Sequence, residues 1–566
     1  MLPLPTLLIQ LLLACDGGGV VLPLDSATDD SVAPTDDSAE PTDDSAEPAA
    51  CVVTATGGLH VEEGSPVSLT FACDGAVNLD DPLTVTLPEG AAWDAATWTF
   101  TWTPGLDQGG RYDLLAETPS GASGTVTLWV SDNFTSEQNI AVDPALYQEE
   151  DGLPVLHLTF DPNLNSGSDT PATLVFMGRT YSVEAQTRGA SSLSYPQQSY
   201  TIKFAKEDRL DADELGWDDF DDLVLQTTFD DVAGIRNTLS HRVWGSLDPA
   251  RLTPQTAMGV VYVKGRFHGL YQLIERVDDD FYNARGLAED GNVYKSVNHD
   301  ANFYSTNSWG GAKYSWHDGY EKREGTPTES EPGAFDDIDA LVEWAATSPN
   351  SVFRDELAEW MLPEEVQDWF FFVSFGMVTD SAGKNAHIYH DPITDGPFRI
   401  TPWDYNASWG QEWETSRIDV SYLSDFVYAN RLFEAMLYDD VMSAEVWARY
   451  EEQLNGPLSE EALLGEAQAL LDASQWARTR NWRRWGGRYK SYFGHGANPD
   501  DEAAYLLTWI DDRHEIVSDW VARGGQYSPL GRAGRASSRA PRRRRRCCSR
   551  PPQPSTSRCS RRWGHR

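Results

Sequence analysis

The sequence predicts an α+β protein: a small all-β sandwich, followed by a larger domain that is strand-rich in its first half and helical in its second. Three observations carry this. Apolar and polar residues alternate with period two over 51–132, strand-and-hairpin patterns run from 153 to 277, and from Phe335 onward apolar residues recur at helical spacing. Strands followed by helices, rather than alternating with them, place the larger domain in the α+β class.

Composition sets limits on partners and chemistry. The 566 residues are 40% hydrophobic and include 21 Trp, enough for cores in two or three domains. The net charge of −44 is unevenly spread: thirteen of the 44 Lys and Arg lie in residues 527–566, which contain no acid, so 31 remain against all 88 Asp and Glu. A body this acidic repels nucleic acid and anionic membrane surfaces. The six cysteines, Cys15, Cys51, Cys73, Cys547, Cys548 and Cys559, all fall outside residues 135–525. That region therefore has no cysteine nucleophile and no Cys-based zinc spacing, while Cys51 and Cys73 are candidates for a disulfide in an oxidising compartment.

The first segment, residues 1–14, reads as a signal peptide: PTLLIQLLLAC at 5–15 is apolar, of the right length, and too short to span a membrane. Leu12-Leu13-Ala14-Cys15 resembles the lipobox of bacterial lipoproteins, which implies cleavage before Cys15 and acylation of its sulfur. A plain signal peptide or a mis-assigned start is the alternative, since no Lys or Arg precedes the apolar core. Residues 15–50 read as a disordered acidic tether, of which 25–49 repeat TDDSAEP-like units with almost nothing to bury. No other run approaches the length of a transmembrane helix.

Residues 51–132 contain VSLTFAC, LTVTLPEG, TWTFTWTP and GTVTLWVSD, short half-buried strands separated by turns. The stretch WTFTWTPGLDQGGRYDL resembles the Ig-like domains of bacterial surface proteins. Trp98, Trp102 and Tyr112 are expected in the core of this sandwich rather than on a sugar-binding platform.

The larger domain spans 135–525. LPVLHLTFD (153–161) and TLVFMGRTYSVEAQTRGASS (173–192) read as strands and a hairpin, and Arg188-Gly189-Ala190-Ser191-Ser192 as a small-residue loop able to present donors to phosphates. YTIKF carries Lys203 on a strand. GIRNTLSHRVW reads as an amphipathic helix burying Ile235, Leu239 and Val243. VVYVKGRFHGLYQLIERV is a hairpin turning at Lys264-Gly265, and Glu275 at its end is expected in a salt bridge. Helices then dominate: FDDIDALVEWAATS, RDELAEWM, Pro363 to Val378 with the stripe Val366, Trp369, Phe370, Val373 and Met377, then 459–473 and 504–525.

The segment DSAGKNAHIYHDPITDGPFRITPWDYNASWG (380–410) is where chemistry concentrates. Asp380 and Asn385 lie in a Gly-containing loop, and a hairpin formed by NAHIYHD, the turn PITDGP and FRITPWD returns Asp404 beside Asp380. Two carboxylates and an amide oxygen suit a hard divalent cation that shares its ligands with phosphates. An Asp, an Asn five residues on, and a later Asp after a hairpin is the order in which protein kinases place the acceptor-orienting carboxylate and the two metal-holding groups. His387 and His390 flank Tyr389 at a spacing that favours strand packing over metal ligation.

The phrases RGASSLSYPQQSYTIKF, GIRNTLSHRVW, VYVKGRFHGLYQLIERVDDDFY, NVYKS and ITPWDYNASWG resemble the spore coat protein H (CotH) kinase family over roughly residues 135–525. The resemblance implies an atypical two-lobed protein-kinase-like domain, ATP and Mg or Mn as cofactors, and phosphoryl transfer to Ser or Thr of a protein substrate. By the same resemblance Asp380 is the catalytic carboxylate, Asn385 and Asp404 hold metal, Lys203 is the lysine reaching the ATP phosphates, and Arg188 helps bind the nucleotide. HRD, DFG and GxGxxG are missing from the chain, a departure that bears on the acceptor more than on the fold. The expected protein is a surface-tethered, extracytoplasmic kinase attached to the membrane through its lipid alone. The alternative is a non-catalytic surface or adhesion protein on a dead kinase scaffold. Residues 526–566, Arg-rich with RRRRRCC, cannot bury a core; they read as a basic disordered tail or as out-of-frame translation.

Overall fold

A computed structural model of the chain describes residues 52–526, except 75–81, 120, 122, 162 and 423–425. The signal-like segment with Cys15, the tether, Cys51 and the Arg-rich tail lie outside the described residues. The fold is mixed α+β. Among the described residues no helix is long and apolar enough to cross a membrane.

The first strands form one sheet in the spatial order Thr84–Val85, Gly110–Glu117, Ser123–Ser131, Val52–Thr56, Val67–Asp74, Thr99–Trp102 and Ala92–Asp94. Alternation does what the sequence requires: Leu69, Phe100, Trp102, Leu114 and Leu128 turn inward to a core drawn only from this segment. Trp102 packs edge-on against Tyr112 at 4.8 Å, so both aromatics belong to this core and its border, and Trp98 is partly buried against it.

A second eight-stranded sheet runs Thr170–Phe176, Arg179–Arg188, Ser199–Phe204, Asp222–Thr227, Arg266–Glu275, Thr256–Val263, Leu153–Phe160 and Glu149–Glu150. Only the pairing of Leu153–Phe160 with Thr256–Val263 is parallel. The hairpin turns at Lys264 and Gly265, both with positive φ (52° and 71°), the two-residue turn whose twist matches the strands. One face of this sheet is covered by the small pair Leu210–Ala212 and Trp217–Phe220. The other packs on helices, beginning with Arg236–Leu247, which buries Leu239, Val243 and Trp244 against Met258 and Val260.

The helical part is built around Pro363–Gly376. Every residue from Glu365 to Gly376 is buried, so the apolar stripe read from the sequence is one side of a helix enclosed on all sides. A four-stranded sheet, Tyr320–Glu324, Asn292–Ser296, Ala386–His390 and Arg399–Pro402, stands beside it. Val224 and Ile274 of the large sheet and Val293, Tyr389 and Trp403 of the small one share an apolar layer.

The helix read at 459–473 continues to Phe493, so it spans Glu460–Phe493. Its second half is Arg- and Trp-rich, and it is held by contacts remote in sequence. Arg480, 1% exposed, pairs with the equally buried Glu150 and donates to the Asp132 carbonyl. Tyr147 and Tyr262 hydroxyls donate to the same Glu150 carboxylate at 2.8 and 3.1 Å. Removing one partner strands a buried charge. Arg480→Met is therefore expected to lower stability by about 3–5 kcal/mol, read as a fall in urea midpoint, and adding Glu150→Gln should recover part of it. An unchanged midpoint in the single variant would show that this pair contributes nothing.

Candidate active site

The helix Pro363–Gly376 ends where the site begins. Its last carbonyls would be orphaned, but the fully buried Arg513 guanidinium donates to Ser374 and Phe375 of this helix and to Val420 and Tyr422 of the following loop. Met377 then adopts a left-handed turn (φ 49°) and the chain enters the loop 379–385. Gly383 lets this loop press on the Ala301 carbonyl, where a Cβ would collide.

Asp380 sits in that loop, about one-fifth exposed. Its Oδ2 accepts from Lys384 Nζ at 2.6 Å and Asn385 Nδ2 at 3.3 Å, and His299 Nε2 lies 3.3 Å from Oδ1. Burial pushes its pKa up, but the hydrogen bonds from His299 and Lys384 outweigh burial and hold the carboxyl below the ordinary range. A cleft of about 420 Å³, lined by His299, Asn302, Thr379, Ala382, Gly383 and Tyr428, opens beside this loop.

The expected hairpin forms, with Ala386 opposite Pro402 and His387 opposite Thr401. Asn385 and Asp404 therefore flank its open end, and the Trp403 N–H donates to the Asn385 carbonyl at 2.9 Å. Both residues have left-handed backbones, φ 58° and 62°, a conformation that Asn and Asp tolerate best among side-chain-bearing residues. Asn385 Nδ2 also donates to Ser381 Oγ at 3.0 Å, and its Oδ1 accepts no hydrogen bond from a described residue.

Three charged groups meet here without pairing. Asp404 accepts no hydrogen bond from any described residue; burial raises its pKa, against the pull of Arg188 and Lys295 and with a further push from Asp380. Arg188, at the end of Arg179–Arg188, holds its guanidinium 5.2 Å over the Trp403 ring, with Nη1 buried and lacking a partner. Burial lowers its pKa to about 10 although Asp404 acts the other way. Lys295, on Asn292–Ser296, is brought down to about 8 by burial and by Arg188, again against Asp404. His387, opposite Lys295 in the sheet, is held well below its usual pKa by burial and these cations, so its ring is neutral.

Of the residues singled out from the sequence, the structure gathers Arg188, Asp380, Asn385 and Asp404 around one end of the hairpin. Lys203 stands apart: its ammonium bonds Asp169 at 2.9 Å and is one-third exposed. The lysines whose charges reach Asp404 are Lys295 and, less strongly, Lys384. Glu275 takes the salt bridge read for it, with Arg285 at 2.6 Å, and His390 is buried with Nδ1 2.8 Å from Asp337. Among the described residues no group of three or more His, Cys, Asp and Glu could hold a metal, so any cation here relies on two carboxylates, an amide and outside oxygens. Sequence reasoning also missed Lys384 and His299, which contact Asp380. Lys384 lies inside the quoted loop, four residues from Asp380, and that spacing was its available signal.

A family model described as CotH kinase protein matches residues 185–517, more than half of the chain. The chain belongs to the CotH kinase family. It is similar to the inner spore coat protein H of Bacillus subtilis (strain 168), at 26% identity over 254 residues, covering 45% of this chain and 66% of that relative. The CotH match takes in Arg188, Lys295, Asp380, Asn385 and Asp404 and leaves the first sheet outside it.

Proposed function

We propose that this CotH-family chain is an atypical, two-lobed kinase that transfers the ATP γ-phosphate to Ser or Thr hydroxyls of extracytoplasmic proteins. One observation carries the reading: Arg188, Lys295 and Asp404 lie within electrostatic reach of one another, partly buried, and none of the three side chains has a hydrogen bond or ion pair to a described residue. Two cations left without anions fit the phosphates of a nucleotide. A carboxylate without donors and the free Asn385 Oδ1 are hard oxygen ligands, which fit Mg or Mn. A bound divalent cation would neutralise charge on the transferring phosphoryl group.

The chain's own groups supply the rest. Arg188 and Lys295 orient the phosphates, Asp404 and Asn385 fix the cation, and Asp380, in the loop whose Thr379, Ala382 and Gly383 line the cleft, accepts the acceptor hydroxyl's hydrogen bond. The segment 52–131, with its own core, serves as an Ig-like spacer, and acylated Cys15 with the acidic tether holds the kinase at a surface. Incubating the full chain with γ-labelled ATP and Mn or Mg, alone and with Ser/Thr-rich proteins, tests the activity. Labelled acceptor is the expected result; tight ATP binding without label on any acceptor would favour the scaffold reading.

Lys295 rather than Lys203 takes the phosphate-binding lysine role in this reading. Lys295→Ala should weaken nucleotide binding about tenfold or more, as loss of a charge-assisted contact does, and Lys203→Ala should leave it unchanged. The ammonium with a pKa of about 8 adds a pH signature. Because phosphate favours the charged form, wild-type affinity falls as pH rises above that value, whereas Lys295→Arg keeps its charge and flattens the slope. Titrations at several pH values check this; equal slopes in the two proteins would remove Lys295 from the phosphates.

A further inference from the structure

Asp230 precedes the helix Arg236–Leu247 in an Asp-Asp pair whose members have separate tasks. Asp231 is the structural one: it accepts from the Arg236 N–H at 2.8 Å and pairs with the buried Arg236 guanidinium at 2.5 Å. Asp230 has no such cation. It is 6% exposed; Oδ2 accepts from Asn406 Nδ2 at 2.7 Å and Tyr195 OH at 3.4 Å, while Oδ1 is buried with no hydrogen-bond partner among the described residues. Its own carbonyl is pinned by Gln411 Nε2 at 2.9 Å. Asn406 lies two residues beyond Asp404, so this bond ties Asp230 directly to the segment carrying the unpaired carboxylate.

A buried carboxylate with an orphan oxygen, beside a second carboxylate that lacks donors, is unfavourable unless something positive or a proton lies between them. We propose that Asp230 is a further oxygen ligand of the cation site, so that a divalent cation is held between Asp404 and Asp230. The fixed Oδ2 sets the carboxylate plane, and the free Oδ1 is the ligand atom. Tyr195, whose hydroxyl reaches Oδ2, lies seven residues beyond Arg188, just after the turn Ser191–Ser194 that follows its strand, so cation binding at Asp230 also bears on the segment next to Arg188. Asn406 and Gln411 are positioning residues in this scheme.

The proposal rests on the kinase reading of the Asp404 site, and the test separates the two. Mn²⁺ binding to the full chain is followed by the loss of the free-ion paramagnetic resonance signal, without nucleotide and then with ATP. Asp230→Asn is expected to weaken Mn²⁺ about tenfold or more in both titrations, at least what loss of an outer partner of a ligand does. Asn406→Ala, which leaves both carboxylates in place, is expected to weaken it less. Should Asp230→Asn disturb folding, Asp230→Glu, with the same charge one methylene longer, provides the second reading through an altered preference for Mn²⁺ over the larger Ca²⁺. Undiminished Mn²⁺ affinity in Asp230→Asn, with Asp404→Asn strongly impaired, overturns Asp230 as a ligand and leaves the Asp404 site standing. A wild type that takes up no Mn²⁺ with or without ATP overturns both.

Discussion

Asp404→Asn is expected to abolish cation-dependent nucleotide binding while the fold persists. The carboxylate accepts no hydrogen bond from a described residue and forms no ion pair, so no packing interaction is lost with its charge. What is lost is the anionic oxygen that offsets a cation bridging phosphates, and a neutral amide cannot replace it. Burial raises the Asp404 pKa, which means that its ionised form is disfavoured by the folded environment. The charge therefore costs stability at neutral pH, and the variant without ligand should melt no lower than wild type. Thermal-shift titration with ATP and Mn or Mg reads both halves. A wild-type-sized shift in Asp404→Asn would take this residue out of the cation site, and a lowered melting temperature without ligand would make it a structural carboxylate.

Much of this site was legible because its parts are close in sequence. The loop, the hairpin and the return to Asp404 lie within 380–404, and a turn of Pro, Asp and Gly fixes the register that aligns them. Which strand lysine lies near Asp404 was not legible, for a reason of strand parity. In YTIKF, Tyr200, Ile202 and Phe204 turn into one core, so Lys203 points the other way, between Glu184 and Asp222 in register and out to Asp169. In NVYKS, Lys295 shares the parity of Val293, which faces the layer between the sheets, and this brings it to Asp404. Both strands read alike until their neighbours are known. The second half of the helix Glu460–Phe493 was missed similarly, since its arginines find Glu150 and Glu62 only across the whole fold. The difference between Asp230 and Asp231 was not legible either: an Asp pair before a helix reads as capping, and only the orphan oxygen of one member tells them apart.

Asp380→Ala is expected to leave nucleotide binding nearly intact and to reduce phosphoryl transfer by about a hundredfold or more, the range in which a positioned proton acceptor contributes. Its neighbours Thr379, Ala382 and Gly383 in the same loop line a cleft of about 420 Å³, and the cations Arg188 and Lys295 sit on other strands. Lys384 and His299 keep it ionised below the ordinary carboxylate range, so the base form is present throughout neutral pH, and any acid loss of turnover caused by Asp380 falls below that range. In the absence of an acceptor its Oδ2 is occupied by Lys384 and Asn385, so an incoming hydroxyl must share or displace the Lys384 contact. Lys384→Ala provides the control: it frees the oxygen and should alter turnover far less than loss of the carboxylate does. Transfer measured with labelled ATP, alongside nucleotide affinity for each variant, separates the roles. Turnover that survives Asp380→Ala places the proton acceptor elsewhere, and a parallel loss of ATP affinity would mean that Asp380 supports the nucleotide rather than the acceptor.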